Sequence, residues 1–382
     1  MKTSWLKFLR HYGPVPRMDN MFDETLQRAA QKQSIQPIEF EHPKQVEIVD
    51  CFSMATTDPV SVILTGTAGD GKTHLCRKVW SLLNGSDEAW SSDSPYLTLE
   101  TRFPKNRETW PKVEDASLYR TVKIHFIRDL SGWAPQMGAE WEPEKEKLLQ
   151  GFCESLFDPT CNEIFLIAAN DGQLVESWRR LKETEDVIKA RAVFEDLLVE
   201  GRQEIPGVRL KFFNLSRVSS VALFDRALDA FLAHPGWEEL KIKETGENEI
   251  FGPKCPIRRN YELLHDPLVR ERLQALLELC NYNGLHLPIR QILLLLANAV
   301  LGHPDAKDHL MSPADVPKFI AAGTVSKASL YNNIFGGNLS EIRRNSITIF
   351  DYLERFQIGY ETSNRIDNIL IFGEGDELLG PY

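Results

Sequence analysis

The chain has 382 residues, of which 42% are hydrophobic and 26% are charged. At roughly 100 to 200 residues per domain this length predicts two or three domains, and the balance of apolar and charged residues excludes a wholly disordered chain. The 44 basic and 55 acidic residues give a formal charge of -11. This negative charge argues against a broad surface that binds nucleic acid. A contact with nucleic acid would have to use a local basic groove.

The cysteines and the apolar segments limit the class of protein further. The six cysteines form no CxxC pair and have no matching histidine doublet, which argues against a zinc site and against a secreted disulfide scaffold. The start of the chain lacks the apolar run of a signal peptide, and the longest later apolar stretch, 292–301, is shorter than the ~20 residues that span a bilayer. We therefore expect a cytoplasmic protein with no membrane partner.

Residues 1–42 predict an N-terminal arm with one short helix at 23–33, and residues 43–218 predict a core of alternating strands and helices. Strands that alternate with helices favour a parallel sheet covered by helices on both faces, which places the core in the α/β class. The predicted strands are 60–64, 96–100, 122–129, 163–169 and 208–213, and the predicted helices are 43–54, 73–83, 144–157 and 174–198, the last broken near 183–186.

Beyond residue 218 the pattern changes. Apolar residues recur at helical spacing over 221–240 and 267–301, with no credible strand between them. Residues 219–312 therefore predict a helical domain. Residues 313–382 predict a mixed C-terminal extension, with a helix near 346–355 and a strand-like run at 368–372.

Residues 66–73 read Gly-Thr-Ala-Gly-Asp-Gly-Lys-Thr and fit the phosphate-loop pattern GxxxxGK[ST] directly between an apolar strand and a helix. The glycines allow backbone N–H groups to point at phosphate oxygens, which the helix N-terminus also stabilises. Lys72 is expected to reach the β- and γ-phosphates, and Thr73 to offer its hydroxyl to Mg²⁺. We predict ATP and Mg²⁺ as cofactors, with the nucleotide bound by Gly66, Thr67, Ala68, Gly69, Asp70, Gly71, Lys72, Thr73 and His74.

A nucleoside triphosphate site also needs an acid that holds the Mg²⁺ ion, usually at the end of a neighbouring strand. One predicted strand ends in Asp129, and another is followed by Asn170 and Asp171. We assign Asp129 to Mg²⁺ and Asn170 to sensing the γ-phosphate or the attacking water. The structural alternatives are a cap or turn at Asp129 and a turn at Asn170-Asp171-Gly172.

The order of phosphate loop, Asp-ended strand, Asn-ended strand and helical segment over about residues 43–301 resembles the AAA+ branch of P-loop ATPases. In that family a Glu usually follows the magnesium Asp, whereas Leu130 stands there in this chain. The general base is therefore open among Asp171, Glu140 and Glu142, which spacing does not rank.

The AAA+ resemblance also gives a role to Arg290. The helical domain would be a lid, and an Arg in the first turn of a lid helix would reach back to the γ-phosphate. The alternative is an exposed first-turn Arg without a ligand. An arginine finger from a neighbouring subunit is expected near the end of the sheet, where Arg179, Arg180, Arg202, Arg209 and Arg217 are equal candidates.

Four short strings resemble a narrower group, the ATP-binding components of bacterial anti-phage systems that restrict DNA lacking phosphorothioate modification. This resemblance implies an ATPase that acts with other proteins of a defence complex, and it carries over no nuclease residue. A homo-oligomer and a local or indirect contact with DNA are compatible with it. The strings are 65–73, 166–172, Cys255-Pro256-Ile257 with Asn260, and 356–365.

Three functions follow from these patterns. We predict an Mg²⁺-dependent ATP-binding protein that hydrolyses ATP. The first alternative is a nucleotide-gated scaffold, which binds ATP to assemble a complex without efficient turnover. The second is a DNA translocase, for which the segment 105–112 with Lys105, Arg107, Trp110 and Lys112 is the candidate pore loop; one aromatic residue among charges is also ordinary loop composition.

Overall fold

The computed structural model describes residues 4–14, 22–53, 55–106, 116–135, 139–241 and 250–357. The chain divides into two compact units. One is His42–Val218, and the other combines Met1–Glu41 with Ser219–Tyr382. The segment predicted as an N-terminal arm thus belongs to the same unit as the residues from Ser219 onward.

The His42–Val218 unit contains a five-stranded sheet in the order β2-β3-β4-β1-β5. β1 pairs in parallel with both β4 and β5, and β3 pairs in parallel with β4. All five predicted strands are present. Their bounds are β1 Ser61–Thr65, β2 Leu97–Pro104, β3 Tyr119–Ile127, β4 Glu163–Ala168 and β5 Leu210–Asn214.

The edge strand corrects the prediction of a parallel sheet, because β2 runs antiparallel to β3. Leu97 lies opposite Phe126, and Pro104 lies opposite Tyr119. The physical reason is the connection between them: parallel strands need a crossover of a dozen or more residues, usually a helix. The sequence of 105–118 has no apolar helical pattern, so the chain turns back beside the strand that it has just left.

Helices cover both faces of this sheet. Successive residues of a strand point to opposite faces, and accordingly Val62 and Leu64 pack with α3, α4 and α5 while Ile63 packs with α6, α7 and α8. The two buried clusters give an α/β core with a layer of helices on each side. The helices of this unit are α3 Gln45–Asp50, α4 Lys72–Leu82, α5 Asp87–Trp90, α6 Pro143–Phe157, α7 Asp171–Arg179 and α8 Glu185–Glu200, whereas α1 Ser4–Leu9 and α2 Phe22–Gln33 belong to the other unit.

The second unit is helical in its described residues, apart from one isolated bridge between Gly302 and Leu310. Helix α13 is buried on nearly all sides and packs against α9, α11, α15 and α17. The helices are α9 Ser220–Leu232, α10 Pro235–Lys241, α11 Pro256–Leu264, α12 Pro267–Tyr282, α13 Ile289–Leu301, α14 Val316–Ala321, α15 Leu330–Ile334, α16 Glu341–Asn345 and α17 Thr348–Arg355.

The N-terminal helix α1 is part of the core of this helical unit. The Trp5 ring stacks on the His234 ring with 3.8 Å between their centroids, and the Arg10 guanidinium donates to Asp308 Oδ2 at 3.4 Å. In the part of the chain that the structure describes, every helix is too short or too polar to cross a bilayer. The strand-like run predicted at 368–372 lies outside the described residues.

The close packing of the sheet interior predicts a large loss of stability when a buried apolar side chain of a central strand is shortened. Leu166 lies in the middle of β4 with 0% of its surface exposed. Leu166→Ala is expected to lower the free energy of unfolding by about 2 to 5 kcal/mol, because it removes apolar contacts and leaves a cavity. Val199→Ala, at a position that is 75% exposed on α8, is the control and should change it by less than about 0.5 kcal/mol. Equal urea midpoints for the two variants would contradict this packing.

Candidate functional site

The phosphate-loop sequence lies between β1 and α4, as the sequence predicts. Gly71 is the N-cap of α4 with a φ of 86°, and no side chain caps the first turn of the helix. The first backbone N–H groups of a helix have no partner within it, so they point outward as donors for an anion. Lys72, Thr73 and the half-buried His74 follow as the first three residues of this helix.

The topology of the sheet predicts a ligand-binding crevice at this loop. β1 and β4 are neighbouring parallel strands, yet α4 after β1 and α7 after β4 lie on opposite faces of the sheet. Such a switch point leaves a cleft at the carboxyl ends of the two strands, where ligands bind in open α/β sheets. The loop 66–71 follows β1, and Asn170 and Asp171 follow β4.

The Lys72 ammonium lies over the loop. Its Nζ donates to the carbonyl oxygens of Gly66 at 2.9 Å and Thr67 at 2.7 Å. Burial lowers the pKa of Lys72, and the carboxylates of Asp70, Asp129 and Asp171 act in the opposite direction. Residues that are far apart in sequence thus share one electrostatic environment, and the Lys72 ammonium is its cation.

Asp129 and Asn170 are linked through Ser131. Asp129 lies exposed just beyond β3, where its Oδ1 accepts from the Ser131 N–H at 2.9 Å, and Asn170 Nδ2 donates to Ser131 Oγ at 3.2 Å. The intervening Leu130 donates its N–H to the Ala168 carbonyl at 2.9 Å, which ties the end of β3 to β4. The turn that was an alternative for Asp129 is therefore present.

Asp171 begins a helix directly. Asn170 is the N-cap of α7 and Asp171 its first residue, so the turn considered for Asn170-Asp171-Gly172 is replaced by a helix start. Asp171 Oδ1 accepts from the hydroxyl of Thr65, the last residue of β1. This bond holds the carboxylate at the base of the phosphate loop.

Four hydrogen bonds of Arg128 could not be predicted from the sequence pattern. Arg128 donates to the carbonyls of Trp90, Ser92 and Ser94, which fastens the 90–94 loop to the end of β3. Its own carbonyl accepts from Thr73 Oγ1 at 3.5 Å. The only sequence signal was its position next to Asp129.

The other candidates for the general base, and the candidate sensor Arg290, differ in their surroundings. Glu142 pairs with Lys145 at 2.7 Å just before α6, and Glu140 is exposed. Asp171 is thus the candidate base whose charge acts on Lys72. Arg290 is the second residue of α13 and belongs to the helical unit, whereas the phosphate loop belongs to the other unit.

All five arginine-finger candidates make contacts within their own unit. Arg180 donates to the Pro135 carbonyl, and Arg179 and Arg202 pair with Glu195 and Asp196. Arg209 donates to the carbonyls of Asp158 and Cys161, and Arg217 donates to the Leu198 carbonyl at the end of α8. In the candidate pore loop, Lys105 donates to the Ser117 carbonyl at 2.7 Å. The other named residues of that loop, Arg107, Trp110 and Lys112, lie outside the described residues.

Comparison with protein-family models, curated proteins and solved structures found no match to this chain. Among the described residues there is also no group of three or more His, Cys, Asp and Glu side chains that could hold a metal ion. The oxygen donors at the loop do fit Mg²⁺ bound together with phosphates. That ion keeps several waters and takes one or two carboxylates beside the phosphate oxygens, and the exposed Thr73 hydroxyl and Asp129 carboxylate are donors of this kind.

Proposed function

We propose that the His42–Val218 unit binds ATP with Mg²⁺ at the phosphate loop and hydrolyses it. The observation that carries this proposal is the position of the loop between β1 and α4 at the switch point of the sheet, with the Lys72 ammonium bonded to the carbonyls of Gly66 and Thr67. A glycine turn that bound nothing would not need an ammonium held over the loop, and it would not need the charge of carboxylates from two other strand ends to act on that ammonium.

The proposed roles follow from the contacts. Lys72 would exchange its bonds to the loop carbonyls for bonds to phosphate oxygens, which are stronger acceptors because they are charged. Thr73 and Asp129 would hold Mg²⁺, which neutralises phosphate charge when it is bound. Asn170 would orient the attacking water. Asp171 would accept the proton of that water as its oxygen bonds to the γ-phosphorus and the bond from that phosphorus to ADP breaks.

The family assignment is part of the proposal. Helices on both faces, a loop at the switch point and a following helical unit support an AAA+ P-loop ATPase in which the helical unit is the lid and Arg290 its γ-phosphate sensor. The resemblance to defence ATPases supports action with partner proteins in the restriction of foreign DNA. Two of its four strings, 65–73 and 166–172, lie at the candidate site. Asn260 of a third has a structural role, because its buried amide donates to the carbonyls of Ala299 and Ala328.

Ligand-dependent stability tests the binding step. At 100 times its dissociation constant, ATP with Mg²⁺ should raise the free energy of unfolding by about 2.7 kcal/mol, since it binds the folded chain only. The measurement is the urea unfolding midpoint with ATP and Mg²⁺, with ATP and a chelator, and with Mg²⁺ alone. No stabilisation by millimolar ATP with Mg²⁺ would sink the proposal.

A nucleotide-gated scaffold is the second candidate, and one observation favours it. The position that follows Asp129 holds Leu130, which is fully buried and bonded to Ala168 through its backbone. It therefore offers no carboxylate to activate water next to the Mg²⁺ acid. A phosphate-release assay with the chain and its proposed partner proteins separates the two functions. A scaffold would retain intact ATP, whereas an ATPase would convert ATP to ADP and phosphate.

A further inference from the structure

The carboxylate of Asp70 is directed into the phosphate loop. The residue is 1% exposed, and its Oδ2 accepts from the Thr67 N–H at 2.6 Å, the Thr67 hydroxyl at 3.1 Å and the Ser216 hydroxyl at 3.0 Å. A buried carboxylate is tolerated only when its oxygens are hydrogen-bonded. Three donors satisfy this one, and one of them comes from a different part of the chain.

Ser216 completes a closed set of contacts with the loop. Its hydroxyl also accepts from the Thr67 N–H at 3.0 Å, so Thr67, Asp70 and Ser216 contact one another pairwise. A Cβ added at Gly66, where φ is 139°, would lie 2.5 Å from Asp70 Oδ2 and 3.1 Å from Ser216 Oγ. Gly66 is therefore packed closely against Asp70 and Ser216, with no room for a side chain.

Ser216 belongs to the segment that leaves the sheet. Asn214 at the end of β5 lies opposite Thr65 of β1, and its side chain accepts from the Ser216 N–H at 3.0 Å. Val218 donates to the Leu215 carbonyl at 3.1 Å, and the helical unit begins at the next residue, Ser219. Residues 214–218 are thus a compact turn between the sheet and the helical unit.

The Lys72 ammonium contacts the same loop residues from their carbonyl side. It donates to the carbonyls of Gly66 and Thr67, while Asp70 and Ser216 bind the Thr67 N–H. A triphosphate that draws the ammonium away removes the two bonds on the carbonyl side. Thr67 is thus bonded to Lys72 through its carbonyl and to Asp70 and Ser216 through its N–H.

We propose that Asp70 and Ser216 form a clamp through which triphosphate binding at the phosphate loop is coupled to residues 214–218, the segment that leads into the helical unit. Both are positioning residues, since neither needs to touch the nucleotide. The inference rests on the proposed function, because it requires that a triphosphate binds at the loop.

A double-mutant cycle on nucleotide affinity tests the clamp. Asp70→Asn and Ser216→Ala should each raise the dissociation constant for ATP with Mg²⁺ about tenfold, which corresponds to about 1.4 kcal/mol, and the double variant should be about as weak as either single one. Residues that act as one unit give non-additive effects. Ser216→Thr, which keeps the hydroxyl, should restore affinity. Ser86→Ala removes a hydroxyl that instead caps α5 and should leave affinity unchanged.

Hydrogen exchange of backbone amides distinguishes the clamp from a purely structural role, because a structural role alone would not make the exchange rates depend on nucleotide. In the wild-type chain, saturating ATP with Mg²⁺ should change the exchange of the Ser216 and Val218 amides, and in Ser216→Ala at saturating nucleotide this change should be lost. Unfolding midpoints without nucleotide identify any variant that fails to fold, and the near-isosteric Asp70→Asn then carries the exchange test.

The two failures are distinguishable. If the wild-type chain binds no ATP, the proposed function falls and the coupling falls with it. If the chain binds ATP but the cycle is additive, or the 214–218 amides respond equally in wild type and Ser216→Ala, the clamp alone is overturned.

Discussion

Replacing Lys72 with alanine is expected to weaken the binding of ATP with Mg²⁺ by about 10- to 150-fold. Hydrogen bonds to a charged partner contribute about 1.5 to 3 kcal/mol, and this range converts to that loss of affinity. The ammonium is already held over the loop by the carbonyls of Gly66 and Thr67. On this proposal it would meet the phosphates with little loss of side-chain entropy. Titration calorimetry with a slowly hydrolysed ATP analogue measures the effect directly.

The control for this variant lies on the same helix. Lys78→Ala removes an ammonium six residues further along α4, so it makes the same change in net charge at a position outside the loop. We expect its ATP affinity to stay within about twofold of wild type. An equal loss of ATP affinity in both variants would mean that overall charge, and not the loop, governs binding. An unchanged ATP affinity in Lys72→Ala would show that Lys72 is not part of the site.

The core of the fold could be predicted because its signals are local. The run of β1 is apolar and bounded by Pro59 and Gly66, and the break between α7 and α8 coincides with Thr184, whose hydroxyl caps α8. The direction of β2 was predicted wrongly, because it depends on how 105–118 connects two strands and not on the strand residues. Helix α1, with six residues, was also missed, because so short a helix is stabilised by packing around Trp5 and not by its own pattern.

The candidate site could be predicted in part for a similar reason. Carboxyl ends of neighbouring parallel strands meet at one edge of a sheet, so Asp129, Asn170 and Asp171 could be placed near the loop from strand ends alone. Ser131 and Ser216 could not, because their contacts depend on turns whose geometry the residue types do not specify. Asp70 matched a position of the loop pattern that accepts any residue, and the pattern gives no sign that its carboxylate is buried.

The general base is the residue that most needs an experiment, and Asp171→Asn is the decisive variant. The amide keeps the size of the side chain and an oxygen that accepts from the Thr65 hydroxyl, so the bond between α7 and β1 can persist. It removes the basic carboxylate. Turnover of ATP should fall by about 10² to 10⁴-fold, the usual contribution of a general base, while ATP affinity stays within a few-fold.

Matched amide variants at the other candidates make this assignment specific. Glu142→Gln breaks a surface pair with Lys145, and Glu140→Gln changes an exposed side chain, so both should keep wild-type turnover. A loss at Glu140 or Glu142 with full activity in Asp171→Asn would move the base to the segment before α6. Because Asp171 follows β4 and Asp129 follows β3, a base at Asp171 would divide the metal-binding and proton-accepting roles between two strands. That division would explain how the chain could hydrolyse ATP with Leu130 next to its magnesium acid.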